Sequence, residues 1–140
     1  MGVDIKCKKT GRSLTLGYGG FARWRMKIAE LYSPIWYAHY SKLLTESPRH
    51  NMAQWFEAFD RETERLLEEE HLNVKIVDFC MQPDTRGDVN YGACKDILKA
   101  IGNYSDNCAY TYAAHADHDW DRLKQILQDC VDTKSKLVWD

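Results

Sequence analysis

Val3-Asp4-Ile5-Lys6-Cys7-Lys8, then Lys9-Thr10-Gly11-Arg12, then Ser13-Leu14-Thr15-Leu16-Gly17-Tyr18: this opening decides how the chain folds. Val3, Ile5 and Cys7 alternate with polar residues, and so do Leu14 and Leu16. Alternation of that kind marks strands with one face buried. The four residues between the runs carry Gly11, which supplies positive φ for a turn. The spacing predicts a β-hairpin over Val3–Lys8 and Ser13–Tyr18.

Beyond the hairpin the period changes. Gly17-Tyr18-Gly19-Gly20 reads as a glycine-rich turn, with a helix from Phe21 whose Phe21, Trp24, Ile28, Leu31 and Tyr32 share one face. Ser33-Pro34 predicts a second helix to about Leu44, and Ser47-Pro48 a third to about His71. The buried stripe of the third is Met52, Trp55, Phe56, Phe59, Leu66 and Leu67. Its other face is rich in Glu and Arg and offers i,i+4 pairs. Val74–Phe79 reads as a strand or buried extended segment, and Gln82–Asp88 as a loop. Asn90 caps a predicted helix over Tyr91–Ile101, stopped by Gly102. Tyr104–Ala114 has no clean period. Asp117 caps a last helix to about Thr133, and Lys136–Trp139 closes the chain as a strand. The order implies one domain over residues 1–140, of α+β class. A small antiparallel sheet, made of the N-terminal hairpin and the C-terminal strand, packs against about five helices.

Bulk properties bound the function. The 140 residues suffice for a core without a metal or disulfide. A net charge of −2 argues against nucleic acid or an anionic membrane as partner. The charges are uneven, however. Lys6, Lys8, Lys9, Arg12, Arg23, Arg25, Lys27 and Lys42 face only Asp4 and Glu30 in the first part, while acids gather in 57–70 and 117–132. The five cysteines are odd in number and widely spaced. They read as free buried thiols in a reducing compartment rather than as a disulfide framework. With no apolar leader and no membrane-length run, the expected location is the cytoplasm.

Three constellations offer chemistry. The first is Tyr18, Gly19, Gly20, Arg23, Trp24 and Arg25. A strand entering a glycine-rich turn and a helix N-terminus collects backbone N–H donors, the arginines add charge, and the rings can stack on a base. That set fits a phosphorylated or nucleotide-like ligand. It is neither a Walker loop nor a dinucleotide fingerprint, and the same residues equally serve close strand–helix packing. The second is Asp84, Gly87, Asp88 and Asn90. Oxygen ligands around a Gly resemble a calcium loop, but Arg86 stands where an acid is wanted, so a structural turn capping the next helix is the expectation. The third is His115, His118 and Asp119, a weak candidate metal set that capping also explains. No nucleophile stands out, no cofactor is expected, and His39 reads as a core or interface histidine.

Met1-Gly2-Val3-Asp4-Ile5, the Gly17–Arg25 segment, Gln82–Asp88 before a Cys94-containing helix, and Leu137-Val138-Trp139 together resemble small uncharacterised bacteriophage and prophage proteins. Those proteins often open Met-Gly-Leu-Asp-Ile and carry His-Ser-Asp-Cys-Asp-Gly-Glu where this chain has Gln82–Asp88. Arg86 replaces their second Asp. The resemblance implies a setting and not a mechanism: an accessory protein that modifies the bacterial host, in some cases by sequestering a nucleotide signal of host defence. Three functions follow as expectations. They are a non-catalytic binder of a nucleotide-like molecule acting as a homo-oligomer, a protein-binding inhibitor of a host protein, and a small metal-dependent enzyme acting on nucleotides.

Overall fold

The computed structural model describes residues 2–105 and 119–140. The hairpin forms as its alternation predicts, with β1 (Gly2–Cys7) antiparallel to β2 (Ser13–Gly17) and Ile5 opposite Leu14. Gly11 takes φ 76° in the turn. The C-terminal strand β4 (Leu137–Trp139) pairs antiparallel with the other edge of β1, placing Trp139 opposite Ile5. A further strand, β3 (Gly87–Val89), pairs with β4 and completes a four-stranded sheet of order β2-β1-β4-β3. One sheet face carries Val3, Ile5, Cys7, Leu14, Leu16, Val89, Leu137 and Trp139, all buried. The helices cover that face, and the structure is α+β with a small antiparallel sheet, as expected.

The helices are α1 (Tyr18–Tyr32), α2 (Pro34–Tyr40), α3 (Lys42–Thr45), α4 (Met52–Glu69), α5 (Val74–Met81), α6 (Tyr91–Ile101) and α7 (Asp119–Thr133). Capping explains most boundaries. Ser33 accepts from Trp36 N with Pro34 in the first turn, and Asn90 accepts from Ala93 N at 2.9 Å. Among the described residues, no helix is long and apolar enough to cross a membrane.

Five expectations need correction. Val74–Phe79 is neither strand nor extended segment but most of α5. Asn73 caps it by accepting from Lys75 N and Ile76 N, and Ile76, Val77, Phe79 and Cys80 form a buried helical face. The strand lies instead in the predicted loop, at Gly87. A Cβ there would sit 2.3 Å from the Trp139 ring, so only glycine lets that indole cross the sheet edge. The helix expected from Pro34 to Leu44 breaks at Ser41. The third starts at Met52, not Pro48, because Asn51 turns left-handed and Ser47 bonds back to Leu43 O. The fifth concerns α1, which begins at Tyr18 and takes Gly19 and Gly20 into its first turn.

The core is one cluster joining the sheet to α1, α5, α6 and α7. At its centre Phe21, Trp24, Phe79 and Trp139 meet, with Trp24 edge-on to Phe79 at 5.6 Å and Phe79 edge-on to Trp139 at 5.7 Å. Edge-to-face pairs at such distances add roughly 0.5–1.5 kcal/mol each beyond burial.

Candidate functional site

The predicted ligand segment is divided by the fold. Gly19 and Arg23 lie at the surface of α1, and Tyr18 is half-buried against the core. Gly20 and Trp24 are buried, the indole only 1% exposed. Arg25 is 3% exposed and turned inward. Its Nη1 donates to Phe79 O, Cys80 O and Gln82 O at 3.3, 3.0 and 2.6 Å, and its Nη2 to the Asp84 carboxylate. The guanidinium also lies 4.4 Å from the Phe21 ring centre. The last carbonyls of a helix have no intrahelical partner and carry partial negative charge. Arg25 therefore fastens α1 to the open end of α5, and its charge is met within the protein. The cavity beside it, walled by Met26, Tyr40, Leu43 and Met81, holds about 170 Å³. That is below the range of drug-sized ligand sites, roughly 300–1,000 Å³.

The other two constellations also resolve in part. Asp84 pairs with Arg25, and Asn90 caps α6. The Gln82 side-chain amide both donates to Asp88 O and accepts from Asp88 N, at 2.7 and 3.0 Å. The loop thus acts as a turn that closes the sheet edge and starts a helix. His115, His118 and the Asp117 cap lie outside the described residues, as does most of 104–114. Asp119 opens α7 and is buried. Among the described residues no group of three His, Cys, Asp or Glu is placed to hold a metal.

The four described thiols are poorly suited to attack, and Cys108 lies outside the described residues. Cys7, Cys80, Cys94 and Cys130 are free and buried. Burial pushes the Cys80 thiol up to about 12. Contact with Cys94, together with burial, pushes Cys130 up as well. Burial alone would also raise Cys7, but hydrogen bonds from Thr10 and Lys9 bring it to about 7. It remains closed off beneath the hairpin turn. A nucleophile needs both a thiolate and an approach.

A different place has the size and mixed lining of a binding site. A cleft of about 610 Å³ opens where the end of α1, the residues before α5, and α6 come together. Leu31, Ile76 and Ala100 supply apolar wall, and Tyr32, His71, Asp96 and Lys99 supply polar groups. Asn73 ties these elements together. Its backbone N donates to Tyr32 Oη, its Nδ2 donates to Asp96 Oδ2 at 2.9 Å, and its Oδ1 caps α5. Lys75 Nζ lies 3.7 Å from the same Asp96 oxygen, and Asp96 Oδ1 has no hydrogen bond among the described residues. His71, just before, takes φ 52° and turns the chain out of α4's end.

Nothing in the sequence pattern joins Tyr32, Asn73, Asp96 and Lys99. They belong to three separate stretches, with Tyr32 at the end of α1, Asn73 before α5, and Asp96 and Lys99 on α6, and together they match no motif. Comparison with protein-family models, curated proteins and solved structures finds no match to this chain.

Proposed function

We propose that the protein is a non-catalytic binder of a phosphorylated or nucleotide-like small molecule, and that the α1–α5–α6 cleft is where it binds. The cleft's volume carries the reading: about 610 Å³ admits a mononucleotide-sized ligand, whereas the space at Arg25 does not. In this reading Tyr32 offers a ring to one side of a base. Lys99 and His71 at the rim meet phosphate charge. Asp96, oriented by Asn73, keeps Oδ1 to accept from a ribose hydroxyl or a base amine. In this reading the cleft holds its ligand through hydrogen bonds, charge and stacking, and the four described thiols, buried in the core, take no part. On the resemblance to phage accessory proteins, binding in the bacterial cytoplasm would sequester a host signal.

Thermal unfolding with a panel of mono-, di- and cyclic nucleotides tests this. A true ligand at about 100 times its Kd adds roughly 2.7 kcal/mol to stability. The shift is expected to vanish in Lys99→Glu and to persist in Arg23→Ala. A shift lost in Arg23→Ala and kept in Lys99→Glu would return the site to the start of α1. A panel with no active member would remove the nucleotide reading.

A further inference from the structure

The α1–α5–α6 cleft has a neighbour. Lys75 Nζ, 3.7 Å from Asp96 Oδ2 at the edge of the cleft, also walls a second hollow of about 260 Å³. The two spaces follow one another along the α5–α6 groove. On α6, Asp96, Lys99 and Ala100 line the cleft, while Ala93, one turn nearer the start of the helix than Asp96, lines the hollow together with Asn90. On α5 the order is reversed, with Asn73 and Ile76 at the cleft and Asp78 at the hollow. Gly92 leaves room at the junction, since a Cβ there would lie 3.3 Å from Lys75 Nζ. From Ala100 back to Asn90 the helix rises about 15 Å, enough for a ligand longer than a mononucleotide.

The two spaces differ in chemistry. The cleft has apolar wall and the Tyr32 ring. The hollow is walled by Lys75 and Lys136, which donate, by Asp78 and Asp88, which accept, and by Asn90. Asp78 Oδ2 takes Gln82 Nε2, and Lys136 Nζ lies 3.7 Å from Asp88 Oδ1. Asn90 spends its Oδ1 on Ala93 N. Asp78 Oδ1, Asp88 Oδ2 and Asn90 Nδ2 therefore have no hydrogen bond among the described residues. Two cations against two carboxylates give this wall no net charge. A phosphate only accepts, so Asp78 and Asp88 repel it. A sugar hydroxyl both donates and accepts, and it suits donors and acceptors set side by side. No ring lines the hollow among the described residues, so a second base has nothing to stack on. Lys75 stands at the crossing, and Lys99 lies one turn beyond Asp96, so two linked phosphates would meet one cation each.

We infer that the ligand of this site is a nucleoside diphosphate carrying a second sugar. Its base and ribose occupy the cleft, its diphosphate crosses Lys99 and Lys75, and the hydroxyls of the second sugar fill the hollow at Asp78, Asp88, Asn90 and Lys136. The inference rests on the nucleotide reading of the cleft and narrows the class of ligand.

Isothermal titration calorimetry of the full chain tests it with matched pairs: ADP and ADP-ribose, UDP and UDP-glucose, GDP and GDP-mannose. In at least one pair the sugar-bearing member is expected to bind roughly tenfold tighter or more. Asp88→Ala and Lys136→Ala should each loosen that member roughly fivefold or more and leave the plain diphosphate within about twofold. Both side chains are 56% exposed, so the variants should fold, and circular dichroism checks that they do. Sugar-bearing members that bind no tighter than their diphosphates overturn the inference and leave the nucleotide reading standing. So do variants that weaken both members of a pair alike, or neither. If no member of any pair binds, the inference is overturned, and the nucleotide reading falls with it when the mono- and cyclic nucleotides fail as well.

Discussion

α1 and α4 are both amphipathic, both rich in aromatics and both studded with arginine, yet they stand in opposite relations to the core. α1 runs under the sheet and is enclosed by β1, α5 and α6, so even Arg25 on its flank is drawn inside. α4 touches the body through one line of residues and leaves its first turns outside. An apolar stripe says that a helix has a side to bury. It does not say how much of the protein is there to bury it, because that depends on elements distant in sequence. For α1 those elements include β4, the last strand of the chain.

The largest test of the contrast compares two tryptophans. Trp24→Ala removes a ring from the four-ring centre and should cost about 4 kcal/mol of unfolding free energy. Trp55→Ala removes a half-buried ring from the first turns of α4, stacked on Phe59 at 5.3 Å, and should cost about 1 kcal/mol. Urea unfolding at low protein concentration measures both. Equal losses would mean that α4 belongs to the core as fully as α1, and the contrast would fail.

Arg25 sharpens the same point at a smaller scale. Arg25→Met keeps the volume but leaves the Phe79 and Gln82 carbonyls without their side-chain donor and Cys80 O with the Tyr40 hydroxyl alone, and should cost about 3 kcal/mol. Asp84→Asn removes the partner carboxylate, which is 47% exposed, and should cost less than about 1 kcal/mol. The expected asymmetry identifies the carbonyls, not the carboxylate, as what holds Arg25. A larger loss from Asp84→Asn would reverse that assignment.

Much of the fold was legible because local signals agreed with it. The hairpin's alternation, the Asn90 cap and the apolar face of α7 each specify an element without distant information. What failed was where local signals are ambiguous. Val74-Lys75-Ile76-Val77-Asp78-Phe79 has strand-like composition, yet Asn73 as cap and the spacing of Ile76, Phe79 and Cys80 make it a helix. β3 is three residues long and depends on Trp139, which arrives from the far end of the sequence. The cleft was invisible for the same reason: its polar groups are gathered by helix packing, and none forms a motif. Arg25 read as ligand-facing because charge near a helix start resembles an anion site, whereas its partners are carbonyls about 55 residues away.

The smallest expected effect concerns where α4 does touch the body. His39 is buried between α2 and α4, with Nε2 2.8 Å from Thr63 Oγ1. The Thr63 hydroxyl already donates to Phe59 O at 2.9 Å, so it must accept from His39. The imidazole is therefore protonated at Nε2, and its Nδ1 has no partner. A second proton would create a buried N–H with nothing to receive it. Burial lowers the His39 pKa below its ordinary 6.5, and Lys42 and Arg65 push the same way against Glu62. The folded state then binds this proton less readily than the unfolded chain. The associated stability is present above about pH 6.5 and is lost as pH falls below it, at no more than about 1.4 kcal/mol per pH unit. His39→Gln should flatten that part of the stability profile, with urea midpoints between pH 7 and 5 as the measurement. Because the ring stacks on Phe59, the change should fall on α4 before it falls on the core. Tryptophan fluorescence from Trp55 would move ahead of the global transition in the wild type as pH drops. A wild-type profile already flat through this range would mean that α4 can shift enough to give Nδ1 water.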